Sequence, residues 1–114
     1  MELKRSPLAP ASFPQMPQIA GMRSATHRLG MYAGRRDDLL VVHFPELVSC
    51  GGVFTRSTTR SADVDWCREA LAASGGKASG LVVNAGNSNA FTFEAGMAKN
   101  EATLKSFAEL SNAP

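Results

Sequence analysis

Three asparagines, Asn84, Asn87 and Asn89, sit close together in the stretch LVVNAGNSNAFTFEAG, with Gly86 between the first two and Thr92 just beyond. Each carboxamide offers both donors and an acceptor, the Thr hydroxyl does the same, and Gly86 lets the backbone turn around them. A turn of this composition can build a polar site for a small ligand. It is equally a plain strand-to-helix connection, and local sequence leaves both readings open.

Other chemistry finds less support. The four potential metal ligands His27, His43, Cys50 and Cys67 are separated by 16, 7 and 17 positions. That spacing contains no CxxC or HxxxH pair to pre-organise a coordination shell, so no metal site is expected. His43 in an apolar strand reads as a hydrogen-bonded core or edge residue, His27 as a surface one, and the two cysteines as reduced, packed thiols. Neither GxGxxG nor GxxxxGK[ST] occurs, and Gly75-Gly76 follows a helix, which is the place of a C-cap and not of a phosphate loop. Without a GxSxG elbow or an evident nucleophile and base pair, no catalytic residue is nominated.

The elements that would position the Asn-rich turn follow from patterning. Leu81, Val82 and Val83 form a short apolar run suited to a buried strand leading into it. After it, Thr92 can cap a helix running to about Ser111, with Glu94 in its first turn and Met97, Leu104, Phe107 and Ala108 along one face. Upstream, LLVVHF (Leu39 to Phe44) reads as a central strand ended by Pro45, and VSCGGVFTR (Val48 to Arg56) as a third buried strand with a bulge at Gly51-Gly52. Asp63 is the expected N-cap of a helix carrying Val64, Cys67, Ala70 and Leu71 inward and ending at Gly75-Gly76. Residues 19 to 33 suit a pair of short strands joined by a turn.

Residues 1 to 18 hold four of the six prolines, Pro7, Pro10, Pro14 and Pro17. Too few backbone N–H groups remain for a place inside a sheet, so this is an extended arm, with Phe13 and Met16 as anchors. Residues 19 to 114 then form one domain of α/β (α+β) class, an antiparallel or mixed sheet with helices on one face.

At 114 residues the chain is long enough for one core and too short for two. The net charge of +2 divides into +4 over Met1 to Arg60 and −2 over Ser61 to Pro114, from eight Lys/Arg against four Asp/Glu and then four against six. Scattered arginines, one Trp and one Tyr do not make a nucleic-acid surface. With neither a secretory h-region nor a long apolar run, a soluble cytoplasmic protein without membrane contact is expected.

Taken in order, SPLAP, FPQMPQIAGMRSAT, GVFTR (Gly52 to Arg56), WCREAL (Trp66 to Leu71) and VNAGNSNAFT (Val83 to Thr92) resemble the amino-terminal part of the glutamate N-acetyltransferase family, also called ornithine acetyltransferase. The resemblance runs from about Ser6 to the last residue. It implies a partly encoded layered α/β/β/α sandwich and an enzyme of arginine biosynthesis that moves acetyl from N-acetylornithine to glutamate, some members also using acetyl-coenzyme A as a substrate. No cofactor is implied.

Members of this family cleave themselves at an Ala-Thr bond, and the exposed Thr becomes the nucleophile, activated by its own α-amine. By the resemblance, the oxyanion-stabilising Thr-Gly pair, the Lys-Gly-rich segment before the cleavage bond and the second chain would all follow Pro114. The chain alone is therefore expected to be inactive and to need the remainder of the enzyme or self-association, with Asn84, Gly86, Asn87, Asn89 and Thr92 shaping a wall of the substrate pocket. A non-catalytic oligomerising or binding module is the alternative. Phe93 stands where the family pattern has Gly, and Ala102-Thr103-Leu104 imitates the cleavage site inside an expected helix, where a surface Thr is the better reading.

Overall fold

The computed structural model describes residues 4–32 and 34–113. Met1 to Leu3 of the expected arm, Ala33 of the expected strand pair and Pro114 lie outside the described residues. The element order is β1 (Arg23–His27), β2 (Leu39–Ser49), α1 (Ala62–Ala73), β3 (Lys77–Asn84) and α2 (Phe93–Ser111). The strands form one antiparallel sheet in the order β1-β2-β3, an α+β arrangement.

The run LLVVHF holds the centre of the sheet, as β-branched and large apolar residues favour. Leu39 to His43 pair with β1 on one side, from His27 to Arg23, and with β3 on the other, from Asn84 to Gly80. Pro45 does not end the strand. β2 continues to Ser49, and the ladder to β3 lapses between His43↔Gly80 and Val48↔Ala78. Since β1 has no partner beyond His43, Pro45 lies where no N–H is called upon from either side.

The third strand expected over Val48 to Arg56 is not formed; only Val48 and Ser49 are extended, as the end of β2. Cys50 N–H bonds the Gly76 carbonyl at 2.8 Å, after which the chain leaves the sheet and runs along α1. There the Arg68 guanidinium lies 5.6 Å from the Phe54 ring centroid and donates to the Thr55 carbonyl at 2.5 Å. The pair of strands expected over residues 19 to 33 is also a single strand, β1, whose partner is β2. Phe13 and Met16 do not act as anchors: both are almost wholly exposed.

α1 starts two residues earlier than Asp63 suggested. Ser61 occupies the N-cap position, paired with Ala90 in an isolated bridge, and Asp63 falls in the first helical turn, where the helix dipole favours a carboxylate. The helix ends in a Schellman motif: Gly76 N–H reaches the Leu71 carbonyl at 2.9 Å and Gly75 N–H the Ala72 carbonyl at 3.4 Å, with φ of +74° and +61°. α2 begins directly after Thr92, and Met97, Leu104, Phe107 and Ala108 are among its half-buried positions, joined by Asn100 and Ser111.

α2 meets the sheet through Phe107, whose ring lies against the Gly80 backbone and edge-on to His43, with centroids 6.0 Å apart. α1 packs on α2 where Ala62 meets Gly96; a Cβ at Gly96 would stand 2.8 Å from that of Ala62. The opposite sheet face, carrying Leu40, Val42, Leu81 and Val83 by register, stays open. Leu81 is 52% and Val83 42% exposed, so the expected buried strand is buried on one side only. Among the described residues Ala62 is the sole buried apolar side chain.

Candidate functional site

The Asn-rich turn is held from three sides. Just ahead of β2, the Asp38 carbonyl accepts Ala85 N–H at 2.8 Å. The carboxylate of the same residue, 2% exposed, gathers the loop between β1 and β2: Oδ1 accepts Leu29 N–H at 2.6 Å, and Oδ2 accepts Met31 N–H at 2.6 Å and Tyr32 N–H at 3.2 Å. The Leu29 hydrogen bond first, with those of Tyr32 and Met31, holds the Asp38 carboxyl below the ordinary carboxylate range, against the opposing effect of burial.

That loop in turn presses on Gly86. A Cβ there would lie 2.8 Å from the Met31 carbonyl oxygen and from Cδ2 of Tyr32, and φ is +86°. Gly86 is thus required twice over, by its left-handed backbone and by the close approach of the loop.

From the helices, Asn89 supplies the third hold. Its Nδ2 donates to Asp63 Oδ1 at 3.1 Å and to Asn100 Oδ1 at 3.4 Å, joining α1, the turn and α2. Asn100 Nδ2 is buried and has no hydrogen-bond partner among the described residues. Thr92 occupies the N-cap position without capping: its hydroxyl donates back to the Asn89 carbonyl at 2.6 Å and packs over Gly96. Between Thr92 and its neighbours the backbone is strained, with φ of +61° at Phe91 and +45° at Phe93, conformations that bulky side chains disfavour.

Beside the turn lies an open cleft of about 420 Å³ bordered by Ser61, Asp63, Val82, Val83, Asn84, Asn87, Ser88 and Asn89. Of the residues singled out in the sequence, Asn84, Asn87 and Asn89 border it together, whereas Gly86 and Thr92 do not and act as supports. Asn84 is engaged locally, Nδ2 donating to the Asn87 carbonyl at 3.3 Å. The cleft can hydrogen-bond a small polar molecule through amides and hydroxyls; among the described residues Asp63 is its one charged group, and no nucleophile and base are paired in it.

Sequence reasoning missed Ser61, Asp63 and Asp38. Asp63 carried a helix-start signal that concealed its side-chain role, and nothing in the residues beside Asp38 marks it as the anchor of a loop. Cys50 is exposed and not packed; Cys67 is half-buried, and burial first, then the Asp63 charge, pushes its thiol upward, away from the reactive thiolate. Among the described residues no three His, Cys, Asp or Glu side chains are grouped to hold a metal ion, and no helix is long and apolar enough to cross a membrane.

Comparison with known proteins now bears on the site. The model of the ArgJ family matches residues 23–114, which include both helices, all three strands and the whole Asn-rich turn. The chain belongs to the ArgJ family. The arginine biosynthesis bifunctional protein ArgJ of Agrobacterium fabrum is 46% identical over 108 residues, covering 95% of this chain and 26% of that protein. Those of Caulobacter vibrioides and Mesorhizobium japonicum are each 52% identical, over 85 and 91 residues, covering 74% and 80% of this chain and 21% and 22% of theirs. The chain therefore spans about a quarter of the length of the curated ArgJ relatives it matches.

Proposed function

We propose that this chain supplies the amino-terminal quarter of a cytoplasmic glutamate N-acetyltransferase, moving acetyl from N-acetylornithine to glutamate in arginine biosynthesis, and that it is inactive alone. Acetyl-coenzyme A is a second acetyl source within this reading. The observation that carries it is the ArgJ family match across the whole sheet, both helices and the turn, which covers only 26% of the Agrobacterium relative. The open apolar face supports the same reading. In a layered α/β/β/α sandwich, a second sheet from the remaining polypeptide would cover Leu40, Val42, Leu81 and Val83.

Within the assembled enzyme Asn84 and Asn87 form one wall of the substrate pocket, Gly86, Asn89 and Thr92 fix that wall, and the nucleophile comes from the remainder. Co-expression of this chain with the remaining sequence of a family member tests the proposal. The expected result is a co-purifying complex that transfers acetyl from N-acetylornithine to glutamate. A chain that neither co-purifies nor supports transfer overturns it.

A further inference from the structure

Asp38 is a buried charge that no ion pair offsets: among the described residues no Lys, Arg or His side chain is bridged to it. Burying a carboxylate is costly unless hydrogen bonds satisfy it. Every polar atom of Asp38 is engaged. Its N–H donates to the His27 carbonyl at the end of β1, at 3.1 Å, and its carbonyl accepts Ala85 N–H in the Asn-rich turn. The two carboxylate oxygens take the N–H groups of Leu29, Met31 and Tyr32.

The segment from Leu29 to Tyr32 has little apolar packing to hold it, since Leu29 is 56% and Tyr32 45% exposed. Three N–H groups converge from it on one side chain, which an ionised carboxylate, an acceptor at both oxygens, can satisfy. The same segment places the Met31 carbonyl and the Tyr32 ring against Gly86. Ala85 and Gly86 lie between Asn84 and Asn87, both of which border the cleft. Asp38 therefore grips the middle of the turn twice, directly through its carbonyl and indirectly through Tyr32.

We propose that Asp38 is a positioning residue for acetyl transfer: by fixing the segment from Leu29 to Tyr32 against Gly86, it sets where Asn84 and Asn87 stand in the pocket wall. Asp38 does not border the cleft and acts only through these neighbours. Its effect on rate rests on the acetyl-transfer reading, whereas its hold on the turn belongs to this chain alone.

Two substitutions cut the route at different points. Asp38→Asn keeps the shape but turns an NH2 group toward N–H donors, which frees part of the segment. Tyr32→Ala keeps the Tyr32 N–H bond to Asp38 and removes only the ring on Gly86. Phe107→Leu serves as the control, because it weakens the packing of α2 on the sheet without touching this route. All three are compared at a temperature where circular dichroism shows each variant folded.

The first readout is the 15N–1H spectrum of the chain alone. The side-chain amide signals of Asn84 and Asn87 should shift or broaden in Asp38→Asn and in Tyr32→Ala, and stay in place in Phe107→Leu. The second readout is kcat/KM for transfer from N-acetylornithine to glutamate in the complex reconstituted with the remaining sequence of a family member. Asp38→Asn and Tyr32→Ala should each lower it at least about fivefold with the complex assembled, as a displaced wall does. Combined, they should lower it little further than the larger single effect, because both act along one route. Phe107→Leu should leave it unchanged.

Unmoved Asn84 and Asn87 signals in folded Asp38→Asn overturn the proposal, and so does undiminished kcat/KM in its assembled complex. An equal fall in Phe107→Leu also overturns it, since general loss of stability would then explain the effect. Should Asp38→Asn fail to fold, Tyr32→Ala decides by the same two readouts. A wild-type complex without transfer sinks the acetyl-transfer reading instead, and the spectra of the chain alone then decide whether Asp38 governs the turn.

Discussion

The Asn89 side-chain amide donates to the Asp63 carboxylate at 3.1 Å, tying the Asn-rich turn to the first turn of α1. With its second hydrogen reaching Asn100 at 3.4 Å, one carboxamide links two helices and the loop between strand and helix. Replacing Asn89 by Ala removes both links and leaves a half-buried carboxylate with one partner fewer. The expected loss is about 1–3 kcal/mol, read as a lower urea midpoint with an unchanged slope. Asp63→Asn, which keeps an acceptor for Asn89, should cost less.

Phe93 holds φ of +45° while its side chain is 73% exposed, so its backbone is strained with little burial to offset the strain. Phe93→Gly should stabilise the chain by about 0.5–1 kcal/mol, the left-handed penalty removed less the added freedom of the unfolded chain. A thermal scan at neutral pH checks this; a lower midpoint would show that the edge-on contact with Phe91, at 6.4 Å between centroids, outweighs the strain.

Gly80 is the one place on β3 where the Phe107 ring rests on bare backbone. A Cβ there would collide with the ring, so even Gly80→Ala forces α2 away from the sheet. The cost should be about 1–3 kcal/mol, and Phe107→Leu in the same chain should recover part of it, since the smaller side chain makes room.

Asp38 gives the stability a defined acid limb. Its folded pKa is lowered, chiefly by the Leu29 hydrogen bond, so its contribution is fully present above the ordinary carboxylate value of about 3.9 and is lost as pH falls through the lower folded value. Stability measured from pH 6 downward should fall through that window for wild type. Asp38→Asn should be less stable at neutral pH and show a flatter acid limb.

Local signals located what local forces decide. The Gly75-Gly76 stop of α1, the start of α2 after Thr92 and the central place of LLVVHF were legible, because glycine conformation, helix entry and β-branched burial act within a few residues. Tertiary pairing decided the rest. Val48 to Arg56 has strand composition, yet past Ser49 it finds no free partner and turns to α1. Leu81 and Val83 read as buried because apolar runs usually are, but the face they occupy is uncovered. Likewise, Asn84, Asn87 and Asn89 were visible as a cluster, whereas the approach of Tyr32 to Gly86 and of Asp63 to Asn89 spans distances no spacing rule reaches.

The claim that the Asn-rich turn walls an acetyl-transfer pocket is tested most directly by kcat/KM for transfer from N-acetylornithine to glutamate in the reconstituted enzyme carrying Asn87→Ala. Asn87 is exposed at the cleft, and its side chain supports neither helix nor sheet. The account predicts a fall of at least about tenfold with the complex still assembled, the loss expected when a polar group facing the reacting molecule is removed. An assembled complex with undiminished kcat/KM would contradict it.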